Sequence, residues 1–183
     1  FAVTGVLFRG FVALMNKIYA DTNASTAEGI VAPTVPQRSG SPSSLASWQT
    51  LGVEGRNFVA RGPSVQKLTA FSGTPAQEPI RVYVGLDTAS TAQERAAIAV
   101  EELERTGAFD RGILVVAGTT GTGWLEPQTV DTVEYEWNGD SAVVGIQYSY
   151  LPSWISTLVD VDKAKEAGTA LFEAVHAKWE TLP

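Results

Sequence analysis

One stretch, Gly112 to Trp124 (GILVVAGTTGTGW), limits what this chain can become. Five consecutive apolar residues, Ile113-Leu114-Val115-Val116-Ala117, stop abruptly at a loop of glycines and threonines, and Pro127 then opens a helical pattern. An apolar run without polar alternation is the pattern of a strand covered on both faces, as in a parallel sheet flanked by helices. Ligands of such sheets bind beyond the carboxyl ends of the strands. That end is Gly118 to Gly123, whose backbone N–H groups are little obstructed by side chains. The alternative is a plain strand-to-helix turn, since glycine is the default turn residue.

The flanking sequence repeats the pattern. Ile80 to Leu86 (IRVYVGL) reads as a strand with Asp87 at its carboxyl end. Thr91-Ala92-Gln93-Glu94 has the form of a capping box, and a helix follows from about Thr91 to Arg105, with Ala96, Ala99, Val100 and Leu103 inward and Gly107 as its stop. After the Gly112 strand, a helix from about Pro127 to Trp137 is expected to turn Val130, Val133 and Trp137 inward. Asn138-Gly139-Asp140 is a turn, Ala142 to Tyr148 a second buried strand, and Ser149 to Trp154 an aromatic-rich loop beyond it. A last helix from about Asp160 to Leu182 carries Leu171, Phe172, Val175 and Trp179 as its stripe. This order predicts an α/β fold, a doubly wound, mostly parallel sheet in a three-layer sandwich. A final helix with no strand after it predicts that the natural chain continues past Pro183. The abrupt opening at Phe1, with neither a methionine nor a signal-peptide pattern, predicts a natural start further upstream.

Residues 1–20 are the most apolar part and the expected place of membrane contact. Arg9 and Lys17 interrupt them, leaving far less than the ~20 apolar residues a spanning helix needs. Val6, Leu7, Phe11, Leu14 and Ile18 fit one face of a membrane-proximal amphipathic helix, which either lies on a membrane surface or packs on the domain. Residues 21–47 are a Pro/Ser-rich linker in which Pro33, Pro36 and Pro42 forbid a continuous helix, leaving an extended tether or a strap. Residues 48–183 form the main domain. Its first part, Trp48 to Pro63, is expected to be irregular, with turns at Gly52, Gly55 and Gly62 and anchors at Trp48, Leu51 and Phe58.

Several chemistries are excluded within this chain. It has no cysteine, so it forms no disulfide, thiolate nucleophile or cysteine-zinc site, and its single histidine, His176, rules out a multi-histidine metal site. Neither a cofactor nor a metal is expected. Residues 1–67 carry six basic against three acidic side chains, whereas the remainder carries seven against seventeen. That acidic balance, without a basic cluster, argues against nucleic acid as a partner. Gly118 to Gly123 is followed by Trp124 rather than the lysine of a P-loop, and neither a Gly-x-Gly-x-x-Gly nor a Gly-x-Ser-x-Gly motif occurs. His176, at the edge of the last helix's stripe, reads as a structural residue.

Longer motifs point to a family. Ser39-Gly40-Ser41-Pro42, Leu51-Gly52-x-x-Gly55-Arg56-x-Phe58-Val59, Ile80 to Leu86, Glu102 to Arg111, Thr119 to Trp124 and Gln147-Tyr148-Ser149-Tyr150-Leu151-Pro152-Ser153-Trp154 together resemble the actinobacterial family of membrane-anchored α/β-hydrolases. The resemblance covers nearly the whole chain. It implies an incomplete α/β-hydrolase fold preceded by transmembrane helices, in the cell membrane, with the hydrolase domain on the extracytoplasmic side. It also implies a Gly-Glu-Ser-Leu-Gly nucleophile elbow, an acid and a histidine beyond Pro183, in the same or a companion chain. Thr119, Thr120, Gly121, Thr122 and Gly123 would then form the oxyanion loop. Trp124, Tyr148, Tyr150 and Trp154 would line a pocket for the acyl or alcohol part of an ester or lipid, unless they are ordinary core residues. The expected function is the amino-terminal part of a serine hydrolase. The alternative is a non-catalytic envelope protein that keeps the fold for binding or assembly.

Overall fold

The computed structural model describes residues 2–182. Three strands, β1 (Ile80–Val84), β2 (Ile113–Val116) and β3 (Ser141–Ile146), form a parallel sheet in the order β1-β3-β2. The pairing is in register from Ile80 opposite Ala142 to Val84 opposite Ile146, and from Ile113 opposite Ser141 to Val116 opposite Val144. Helices α4 (Ala92–Thr106) and α7 (Val161–Trp179) cover one face of the sheet. Helices α2 (Gly52–Ala60) and α5 (Pro127–Glu136) cover the other, with α3 (Val65–Ser72) packed on α5. The fold is thus the expected three-layer α/β sandwich, an incomplete α/β-hydrolase sheet.

Local signals place the helix between β1 and β2. Thr91 Oγ1 accepts from the Glu94 N–H at 3.1 Å, the Glu94 carboxylate accepts from the Thr91 N–H at 3.0 Å, and Gly107 closes α4 in the left-handed conformation at φ 72°. Buried Ala96, Ala99 and Leu103 face the sheet, as their spacing predicts.

Other expectations are corrected. The Gly112 strand is only half-buried along its whole length, because β2 lies at the edge of the sheet and pairs on one side alone among the described residues. Trp48 to Pro63 is mostly helix rather than irregular. Its Gly55 serves close packing, since a β-carbon there would overlap the ring of Tyr83 on β1. Trp137 is 42% exposed, caps α5 and lies over Gly112; the inward residue one turn earlier is Glu134, fully buried against Arg81. The last helix, α7, begins where expected, but Ser153–Val159 ahead of it forms a separate α6, absorbing Ser153 and Trp154 from the expected loop. In α7, Leu171 and Val175 are buried, whereas Phe172 and Trp179 are exposed with His176 stacked between them.

Helix α1 (Ala2–Ala24) packs on α2 near its carboxyl end, and Val6, Leu7, Phe11, Leu14 and Ile18 all remain exposed. Among the described residues no helix is long and apolar enough to cross a membrane. The segment after α1 is a strap along the outer edge of β1. The Ser39 N–H donates to the Arg81 carbonyl at 3.0 Å, the Arg81 N–H to the Gln37 carbonyl at 3.1 Å, and the Tyr83 N–H to Ser39 Oγ at 3.1 Å.

Glu102, fully buried on α4, holds this strap down. Its carboxylate accepts from Ser39 Oγ (3.0 Å), Ser44 Oγ (2.9 Å), the Leu45 N–H (2.6 Å) and the Arg105 guanidinium (2.8 and 2.9 Å). Burial works to raise its pKa, but the Arg105 and strap hydrogen bonds outweigh it and hold the carboxyl below the usual carboxylate range. With the folded pKa below the unfolded one, this stabilisation is present above an unfolded pKa of about 4.3 and is lost as pH falls through the folded value. We expect Glu102→Gln to cost about 2–4 kcal/mol, because four donors lose a charged acceptor. Urea denaturation measures the loss, and limited proteolysis should then cut within residues 36–46.

Candidate functional site

The sheet's connections have a switch point between β2 and β3. The chain leaves β2 for α5 on one face and leaves β3 for α6 and α7 on the other, so the loops beyond these two neighbouring strands diverge. In open parallel sheets, such a divergence at the carboxyl ends is where ligands bind. The β2 loop and the β3 loop are tied together there. Thr119 Oγ1 donates to the Ile146 carbonyl at 2.9 Å, and Gln147 Nε2 reaches the Thr122 carbonyl at 3.0 Å.

Gln147 follows β3 and is buried. Its Nε2 also lies 3.0 Å from Asn23 Oδ1 and 2.9 Å from the Ser149 carbonyl, and its Oε1 accepts from the Leu86 N–H at 3.1 Å. One amide therefore joins the loops after all three strands to the end of α1. Asp87, just beyond β1, accepts from Tyr150 Oη and, at 3.2 Å, from Asn23 Nδ2. Burial, followed by the bond to Asp87 and its charge, pushes the Tyr150 pKa up to about 12, so this tyrosine stays a donor at neutral pH.

The five glycine and threonine residues beyond β2 differ in what their amides do. The Thr120 N–H donates to the Trp124 carbonyl at 3.1 Å and the Gly123 N–H to the Thr120 carbonyl at 2.9 Å, so both are spent within the loop. The amides of Thr119, Gly121 and Thr122, and of Gly118 just before them, make no hydrogen bond among the described residues. The turn is clamped from below: Tyr83 Oη, on fully buried Tyr83 of β1, donates to the Gly123 carbonyl at 2.8 Å. Burial, and to a lesser degree the charge of Glu54, raises the Tyr83 pKa, so it too remains a donor. Tyr83→Phe should cost about 1–2 kcal/mol by leaving a buried carbonyl unserved. Amide exchange at Gly123 and Trp124, both bonded to Thr120, should accelerate in the same variant.

The expected pocket residues do not share one wall. Tyr148 and Tyr150 line the same cleft, of about 670 Å³, between the end of α1, α4 and α7. Trp124, 40% exposed, lines a different cleft against α2 and α5, together with Phe58 and Pro127. Trp154 is 62% exposed on α6. His176 lies far along α7, beside Phe172 and Trp179. Sequence reading missed Gln147 and Asn23. A glutamine closing the apolar run of AVVGIQY was the available signal for the first, while nothing local marks the second. Among the described residues no cluster of histidine or carboxylate side chains has the arrangement of a metal site.

Comparison with known proteins gives the lineage. Residues 80–183 match the model described as Alpha/beta-hydrolase family, and residues 1–63 match that described as Alpha/beta-hydrolase family N-terminus. No curated protein and no solved structure matches the chain. The first match alone spans more than half of the sequence, β1 through α7, including the divergent loops and the sheet that carries them, so the chain belongs to the alpha/beta-hydrolase family.

Proposed function

We propose that this chain is the amino-terminal part of the catalytic domain of a membrane-anchored serine hydrolase acting on ester or lipid substrates. The observation that carries the reading is the set of undonated amides at the end of β2, at Gly118, Thr119, Gly121 and Thr122. Such groups, fixed before the reaction, stabilise the negative oxygen of a tetrahedral intermediate; one donor is worth about 3–4 kcal/mol of barrier. Thr119 is the donor we favour from the loop, because its side chain is anchored to the Ile146 carbonyl and holds its backbone in place. The nucleophile, acid and histidine belong to sequence beyond Pro183 in the same or a companion chain.

The remainder of the domain docks on the open edge of β2. There Leu114 and Val116 are half-buried, and a groove runs to Phe172 and Trp179 of α7. A further parallel strand laid along β2 would cover both and satisfy the unpaired edge groups. Membrane anchoring is supported by Val6, Leu7, Phe11, Leu14 and Ile18 of α1, which are exposed among the described residues, and the extracytoplasmic side for the domain is part of the same proposal.

A fluorophosphonate probe applied to the full-length protein tests the chemistry. Labelling of one serine beyond Pro183, lost when that serine is replaced by alanine, is the expected result. Residues 1–183 alone should remain unlabelled. A full-length protein that neither takes the probe nor turns over esters would sink this reading and leave a non-catalytic envelope protein that uses the fold for binding or assembly.

A further inference from the structure

The cleft lined by Tyr148 and Tyr150 has a second character. Arg95, in the first turn of α4, lines it and is only 5% exposed. Its Nη1 donates to the Ala89 carbonyl at 2.8 Å, its Nε is buried without a partner, and its Nη2 makes no hydrogen bond among the described residues. A guanidinium offers five N–H donors, so most of this one is unserved. Burial holds its pKa below the ordinary arginine value, and the charges of Glu166 and Glu94 only partly offset that.

Two further cations line the same cleft. Lys17 of α1 makes no ion pair among the described residues, and Lys163 of α7 pairs at 2.7 Å with Asp160. Glu166 is the one acidic side chain in the lining, and its carboxylate also accepts from Gln93 Nε2 at 3.2 Å. The opening turn of α4 adds the positive end of a 15-residue helix. In a protein of net charge −7 three cations thus face one cleft, and the acids around it are already engaged, Asp160 with Lys163, Asp87 with Tyr150 and Glu94 with the Thr91 cap.

We propose that the cleft binds a phosphate-class anion between Arg95, Lys17 and Lys163. A buried guanidinium with free donors is costly unless an anion completes it, and two lysines on separate helices can close on the same oxygens. The anion is either a soluble phosphate or the phosphate of a lipid headgroup whose acyl chains lie along the exposed face of α1. The site stands whether or not the protein hydrolyses anything, because its test reads binding.

The test uses the full-length protein with inorganic phosphate, and chloride at equal ionic strength as control. Phosphate should raise the Tm of the wild type by linkage to the folded state. Arg95→Met should abolish that rise while keeping or increasing the Tm without phosphate, because it removes an uncompensated buried charge. Lys17→Ala and Lys163→Ala, both at exposed positions, should each weaken the apparent phosphate affinity by about tenfold. Sedimentation with vesicles of phosphatidylcholine, alone or mixed with phosphatidate, identifies the source. A phosphatidate preference lost in Arg95→Met assigns the lipid headgroup, and phosphate binding without that preference assigns the soluble anion. A Tm response to phosphate no larger than to chloride, or equal in wild type and Arg95→Met, would overturn the proposal.

Discussion

Replacing Arg81 with alanine should destabilise the protein by about 3–5 kcal/mol, the largest single loss we expect. Arg81 lies on β1 at 2% exposure, and its guanidinium holds three acceptors together. Nε and Nη2 donate to the two Glu134 oxygens at 2.7 and 2.8 Å, Nη2 donates to Asp131 at 2.8 Å, and Nη1 donates to the Phe58 carbonyl at 2.8 Å. Burial opposes the charge on both members of the pair. For Arg81 the bonds and charges of Glu134 and Asp131 outweigh burial and raise the pKa; for Glu134 burial outweighs Arg81, and its pKa is raised. Arg81 stays protonated throughout, and Glu134 is the member whose charge is lost as pH falls. Alanine at position 81 would strand that carboxylate in the core, and urea denaturation measures the cost. The double variant Arg81→Met with Glu134→Leu should recover most of it, since an apolar pair of similar volume carries no desolvation penalty. A double variant as unstable as Arg81→Ala would show that the stability resides in the charged hydrogen bonds themselves rather than in the volume filled.

On the serine-hydrolase reading proposed above, Gly121→Ala should lower kcat of the full-length protein roughly a hundred- to a thousand-fold, the scale of one lost oxyanion donor. The glycine is buried, and a β-carbon there would overlap the Leu151 carbonyl and come within 2.5 Å of Ser156 Oγ. One neighbour is backbone, so the loop must lift and carry the Thr119 and Thr122 amides with it. Gly118→Ala is the control, because its β-carbon would meet nothing within 4 Å and its N–H is retained. Stopped-flow ester hydrolysis compares the two. Equal activity in both variants would remove this loop from the reaction.

The elements legible in the sequence are those whose signals are local. The Thr91–Glu94 box, Gly107, the Asn138-Gly139 turn and three apolar runs placed α4 and the whole sheet. What escaped depends on neighbours distant in sequence. Gly52 does turn the chain, at φ 72° where α2 opens, but Gly55 read as a turn because propensity counts glycine against a helix, whereas the ring of Tyr83 requires a residue without a side chain there. Phe172 and Trp179 fit the stripe of α7 by spacing, but the surface they face is the open edge of β2, which covers little of them. Nothing local marks Glu134 as an inward residue, since its partner on β1 is 53 residues away. At the site, the glycine-threonine loop was visible, but which amides it spends internally is a matter of turn geometry that composition does not encode.

The Gln147 junction has an arithmetic of its own. Its side-chain nitrogen carries two hydrogens, and three oxygens lie within 3.0 Å of it. At any instant one acceptor goes without. If Asn23 swings away with the tail of α1, the two protons settle on the Thr122 and Ser149 carbonyls and the loop loses nothing. On the membrane-anchored reading proposed above, tilting of α1 against a bilayer would thereby be decoupled from the amides at the end of β2: the surplus acceptor would work as a slip joint between that helix and the loop.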